Sequence, residues 1–314
     1  MKRLLFFVFC LIAAPAFAAK PTPIGQLNVV AFGGNVGQLP SVIFANSYGQ
    51  AWLSVTNAPA VALPADCSTT KLRVIRDALA LQYPSAHYFI FFGAPCNFGE
   101  IHQSAPASMY MKGTIYSSVL VHEFAHAMGH YHPHQVDCSF ADPVDISCPR
   151  SWADFGDWMQ IPLAHANGPH KEQLRWITVP LITTDGTFNL TPMHTSGGLK
   201  AIKTPFPNPF GHPTLPTFVM VEWRQDPAML TGLYTQYTDG VMVHVTERYC
   251  ISRDPCTEAW DSYALDMRPQ SKAVGDQRDP ALPYGSSYTF PENGLKITVG
   301  FPTGGTVPVT LDVP

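Results

Sequence analysis

His122, Glu123, His126, Gly129 and His132 follow the pattern H-E-x-x-H-x-x-G-x-x-H, and every fixed position in it has a chemical use. His122 and His126 are four residues apart, about one turn of an α-helix, so both imidazoles leave the same face and can grip one ion. Glu123 lies about 100° further round that helix. Its carboxylate is then beside the ion without ligating it, where it can take a proton from metal-bound water. Gly129 can adopt the left-handed conformation that ends a helix, so the chain turns back and presents His132 to the same ion. Three neutral imidazoles leave a fourth position for water, and zinc lowers the pKa of such a water toward about 7. The chemistry expected is hydrolysis assisted by one catalytic Zn2+, with Glu123 as general base and then general acid. With this composition the full pattern arises by chance in roughly one chain in 10^4 to 10^5, which sets it apart from an ordinary helix.

His130 competes for the third ligand position. On a continuing helix, His122 and His130 would be about 12 Å apart along the axis, too far to share one tetrahedral ion. His132 is therefore the expected ligand, with His130 and His134 as supporting or solvated residues. Leu120, Val121, Phe124, Ala127 and Met128 supply apolar faces that bury the helix, and Thr114 is a candidate N-cap.

The elements that must position this helix are legible around it. Between Gln26 and Leu63, Leu27–Phe32 and Ala51–Val55 read as strands separated by Gly and Asn. Apolar Leu72, Val74, Ile75, Ala78, Leu79 and Leu81 predict the first helix over Thr69–Gln82. The continuous apolar run Tyr88–Phe92, closed by Gly93, reads as a buried strand. This order gives an α/β sandwich with the metal in a cleft below the sheet. Past Trp176 the pattern changes to alternating segments, Thr187–Leu190, Thr217–Trp223, Gly240–Val245 and Lys296–Val299, set among turns. The fold class expected is α/β, with a catalytic domain over 19–178 and a β-rich, sandwich-like C-terminal domain over 179–314. His244 is expected to be an ordinary strand residue.

The first 18 residues have the form of a secretory signal peptide. Lys2 and Arg3 precede an apolar stretch from Leu4 to about Ala14, and Ala16-Phe17-Ala18 fits the small-x-small cleavage site. The apolar run falls short of the roughly 20 residues that a membrane span needs, so a secreted or periplasmic protein without a membrane anchor is expected. Six cysteines then remain, and pairing of neighbours (Cys67 with Cys96, Cys138 with Cys148, Cys250 with Cys256) is expected in an oxidising compartment. The net charge of −4, with only 13% charged residues, carries no nucleic-acid footprint. The 30 prolines argue against long uninterrupted helices. Oligomeric state and structural calcium are not readable from the chain.

The zinc motif resembles that of the metzincin clan, and its flanks are similar to the gametolysin family of secreted metallopeptidases. Ser47-Tyr48-Gly49-Gln50-Ala51-Trp52-Leu53 resembles that family's S-Y-G-x-x-x-L segment, and Cys96-Asn97-Phe98-Gly99 its Cys-Gly strand. Asn167-Gly168-Pro169-His170-Lys171-Glu172-Gln173-Leu174-Arg175-Trp176 resembles its N-x-P-H-K-x-x-L-G-W element. The resemblance implies a methionine turn beneath the metal, for which Asp157-Trp158-Met159-Gln160 is the best match, with Met159 as its methionine. It also implies an endopeptidase acting on extracellular proteins or glycoproteins. The chain departs from the pattern at Arg175, where the family has Gly, and at Ala125, often Gly. No tyrosine follows Met159 at the spacing that gives some metzincins an extra ligand. Two other classes fit the residues: a zinc hydrolase of another amide or ester, and a non-catalytic binding module with a vestigial site. The second has no use for Glu123.

Overall fold

Alternate side chains of a strand point to opposite faces, and the central strands here are apolar on both, as a sheet covered on two sides requires. The computed structural model describes residues 23–95, 98–100, 106–112, 117–130, 132–136, 138, 148, 150–151, 154, 157–159, 164–207, 216–227, 238–253, 256–268 and 280–314. The expected signal peptide and the Thr114 cap lie outside them.

The first half runs β1 (Gly25–Phe32), α1 (Leu39–Asn46), β2 (Ala51–Ala58), α2 (Thr69–Gln82), β3 (Tyr88–Phe92), β4 (Phe98–Glu100), β5 (Ala107–Met111) and α3 (Ser117–Met128). The strands form one sheet in the order β2-β1-β3-β5-β4, parallel except for the edge strand β4, which is antiparallel to β5. From β1 and β3, Val29, Ala31, Tyr88 and Ile90 pack with Leu39, Val42 and Ile43 of α1 and Leu120, Val121 and Phe124 of α3. The alternate residues Val30, Phe32, Phe89 and Phe91 pack with Leu72 of α2 on the opposite face. Phe124 is fully buried against the Tyr88 ring, and burial of such a side chain stabilises by about 1.5–3 kcal/mol. All five apolar residues expected to bury the metal helix are buried.

The second half comprises β6 (His134–Val136), β7 (Arg150–Ser151), α4 (Gly168–Gln173), β8 (Gly186–Leu190), β9 (Ala201–Phe206), β10 (Thr217–Glu222), β11 (Gly240–Arg253), β12 (Cys256–Ala264), β13 (Leu282–Pro283), β14 (Ser287–Thr289), β15 (Lys296–Val299) and β16 (Val307–Asp312). One sheet has the order β7-β6-β12-β11-β10-β9, with β13 attached to β11, and another the order β14-β15-β16-β8. The two share an apolar core that joins Ile202, Val219 and Val243 of the first to Leu190, Ile297 and Val309 of the second. The architecture is thus mixed α/β, with the helices concentrated in the first half. β6 and β7 fall before residue 178 yet belong to the C-terminal sheet, β6 pairing parallel to β12 through His134 and Tyr263. The chain therefore enters the C-terminal sheet two residues after His132 and then returns.

One expectation needs correction: Thr69–Gln82 is the second helix, because α1 lies inside the stretch read as strands. Its buried residues Leu39, Val42, Ile43 and Asn46 are spaced i, i+3, i+4, i+7, and Pro40 occupies its first turn, where a missing N–H costs nothing. Cys138 and Cys148 are disulfide-bonded, with Cα atoms 5.0 Å apart. Cys67 is also disulfide-bonded. Its expected partner Cys96, and the side chains of Cys250 and Cys256, lie outside the described residues. No helix among the described residues is long and apolar enough to cross a membrane.

Candidate metal centre

Helix α3 carries His122, Glu123 and His126 and stops where the third histidine needs it to stop. Gly129 has φ +102°, its N–H donates to the His126 carbonyl at 2.8 Å, and the His130 N–H donates to the Ala125 carbonyl at 3.0 Å. This pair of bonds is a Schellman motif with glycine at its left-handed position. The chain reverses there, and His132 returns toward the face of α3 that bears the other two rings.

The three Nε2 atoms form a nearly equilateral triangle, His122 to His126, His126 to His132 and His132 to His122 each measuring 3.1 Å. Two of the rings have their tautomer fixed by a carbonyl. His122 Nδ1 lies 2.7 Å from the Met159 carbonyl oxygen and His126 Nδ1 lies 2.9 Å from the His130 carbonyl oxygen. A carbonyl only accepts, so each Nδ1 carries the proton and each Nε2 turns a lone pair toward the triangle's centre. Lone pairs that converge at this distance repel unless a cation sits between them. Among the described residues, these three form the group able to hold a metal ion. Burial, with the neighbouring imidazoles, pushes the His126 pKa down to about 4 against the raising effect of the His130 carbonyl. Burial also lowers that of His132, and both shifts favour the neutral form that a metal ligand must have.

Glu123 follows His122 on α3 and is half-buried. His130 is not in the triangle. Its ring is fully buried and stacks on His170, with centroids 4.0 Å apart and planes at 11°, while its backbone carbonyl orients His126. His134 also lies outside, stacked on Tyr263 at 5.0 Å. Met159 is buried and touches the centre through its main chain. His244 sits on β11, as expected of a strand residue, and faces Glu222 at 3.4 Å.

Sequence reasoning missed the part played by α4. Asn167 caps it, its side chain accepting from the His170 N–H at 3.0 Å, and Pro169 sits in its first turn. The helix ends in a second Schellman motif, the Arg175 N–H donating to the Glu172 carbonyl and the Trp176 N–H to the Lys171 carbonyl, both at 2.9 Å. Arg175 occupies the left-handed position, with φ +60°, at the place where the resembling element has glycine. A side chain there costs about 1–2 kcal/mol, partly offset because glycine loses more freedom on folding. Arg175 is exposed, so Arg175→Gly is expected to raise stability by about 0.5–1 kcal/mol. Urea unfolding checks this, and a loss of stability refutes it.

No protein-family model, curated protein or solved structure matches the chain.

Proposed function

We propose that the chain is a secreted zinc endopeptidase of the metzincin type, resembling the gametolysin family, that cleaves extracellular proteins or glycoproteins. The observation that carries this is the Nε2 triangle made by His122 and His126 of α3 with His132 beyond its end, on a helix that also bears Glu123. Three nitrogens 3.1 Å from one another could all lie at the zinc–imidazole distance of about 2.0–2.1 Å from one ion, so His122, His126 and His132 fit the group that would bind there. When bound there, zinc supplies a water of lowered pKa and a Lewis acid for the scissile carbonyl.

The protein residues divide the remaining work. Neutral His122, His126 and His132 hold the ion. Glu123, next to His122 in sequence and on the neighbouring helix face, takes the proton from the attacking water on its carboxylate and returns it to the leaving amine. The edge strand β4 packs beside α3 and has an outer backbone edge unpaired among the described residues, along which an extended peptide can lie as an added strand. Met159 serves as the methionine of the turn beneath the metal.

The test is metal content and chelation. The purified protein should carry close to one zinc per chain and hydrolyse casein, lose that activity on dialysis against a strong chelator, and regain it on zinc addition. Casein hydrolysis indifferent to chelation, or chelator-sensitive activity confined to small amides or esters, would refute the endopeptidase reading.

A further inference from the structure

Helix α4 reaches the metal centre along two routes, and its own side chains begin both. In the first, His170 Nδ1 lies 3.0 Å from Asp157 Oδ2. The same oxygen accepts the Asn167 N–H at 2.7 Å, and Asp157 Oδ1 accepts the Met159 N–H at 2.9 Å. The carboxylate thus fixes the turn whose Met159 carbonyl, 2.7 Å from His122 Nδ1, orients that ring. In the second, the His170 ring stacks on His130, and Gln173 Nε2 donates to the Gly129 carbonyl at 3.0 Å. Those contacts hold the reversal at Gly129 and His130, and the His130 carbonyl orients His126. His170 and Gln173 are three residues apart and so share one face of α4.

We infer that α4 is an outer clamp on the metal centre, with Asp157 and His170 as positioning residues that fix the orientation of His122 and His126. This rests on the reading that the triad binds a metal. Asp157 and His170 are both almost fully buried, so the clamp does not depend on solvent. It also gives the N-x-P-H-K-x-x-L-x-W element a physical content. Asn167 caps the helix and binds the turn, Pro169 starts it, and His170 and Gln173 hold the ligand-bearing loops. Leu174 and Trp176 anchor the helix in the core shared with α1 and α3.

The experiment measures zinc affinity by competition with a chromophoric chelator, and the visible absorption of the cobalt-substituted protein, for the wild type and three variants. Asp157→Asn keeps the shape but sets an amide NH2 or a weaker oxygen against two donors. His170→Phe keeps a ring against His130 but cannot donate to Asp157. Both are expected to weaken zinc binding about 10–100-fold, as loss of an orienting partner does at other metal sites, and to alter the cobalt spectrum. Glu172→Gln, also on α4 but paired with Lys203 at 2.5 Å, is expected to leave affinity unchanged. Folding is checked by circular dichroism, and if one of the two relay variants does not fold, the other decides. Wild-type affinity and spectrum in a folded relay variant overturn the inference. Tight metal binding without proteolysis sinks the peptidase reading alone, and the affinity series still decides the clamp.

Discussion

Replacing Glu123 with Gln is expected to lower kcat by about 10^2–10^4-fold, the range that a positioned general base supplies, while zinc content stays at the wild-type level. The two halves of this expectation come from different parts of the geometry. The proposed metal would be held by three nitrogens that converge to 3.1 Å, and two of their rings are oriented by the Met159 and His130 carbonyls rather than by Glu123. Removing the carboxylate's charge therefore leaves the ligand set intact. Only the group proposed to accept the water's proton is lost, and glutamine, which keeps the size and polarity of the side chain, has no lone pair basic enough to replace it. A parallel His126→Ala variant is expected to lose metal and activity together, so the contrast between the two separates binding from chemistry. Activity of Glu123→Gln within tenfold of wild type would remove Glu123 from the mechanism.

Local signals carried much of the site and part of the fold. The spacing of His122, His126 and His132 around Gly129 is a property of one helix turn and its stop, so the triangle could be read without knowledge of anything distant. Tyr88–Phe92 and Thr69–Gln82 appear with the expected bounds, the first because a continuous apolar run has few other uses, the second because its period is long enough to measure. Helix α1 was hidden by its short length and by Pro40, which reads as punctuation although it is favourable in a first helical turn. Helix α4 has six residues, too few for a period, and only the Asn167 cap and Pro169 announce it. Long-range partnerships left no local trace. Asn46 and Lys171 are 125 residues apart, yet Lys171 Nζ donates to the Asn46 carbonyl at 2.8 Å. The assignment of β6 to the C-terminal sheet likewise depends on Tyr263, a partner far away in the chain.

Arg224→Leu is expected to cost about 3–5 kcal/mol of stability, because it removes the cationic partner from a buried ionic group. Arg224 has no exposed surface. Its guanidinium donates to the Ala166 carbonyl at 3.1 Å and the His165 carbonyl at 2.6 Å, and pairs with Glu222 at 3.3 Å. Glu222 Oε2 in turn accepts the Gly168 N–H at the start of α4, and a Cβ on Gly168 would stand only 2.6 Å from that oxygen. Asp226 accepts the His165 N–H at 2.6 Å, and the Asn167 side-chain amide donates to the Ser262 hydroxyl on β12 at 3.3 Å. The C-terminal half therefore grips the 165–168 segment, mostly by its main chain, directly before the helix proposed to clamp the metal centre. Burial raises the Glu222 pKa, but the His244 and Arg224 charges and the Gly168 N–H outweigh it and hold the carboxyl below its ordinary value of 4.5. A depressed folded pKa adds stability above the unfolded value and loses it as pH falls through the folded one. Wild-type stability should thus decline on acidification below about pH 4.5, and Arg224→Leu, with a less depressed Glu222, should decline less steeply there. Urea unfolding of the metal-free protein at pH 7 and pH 4 measures both effects, and a cost below 1 kcal/mol at pH 7 would show that the buried charges do not hold the two halves together. The metal centre should suffer with the stability, since a loosened 165–168 segment frees α4. The C-terminal half is thereby structural support for the proposed metal site, through the buried contacts of Glu222, Arg224 and Asp226 to residues 165–168.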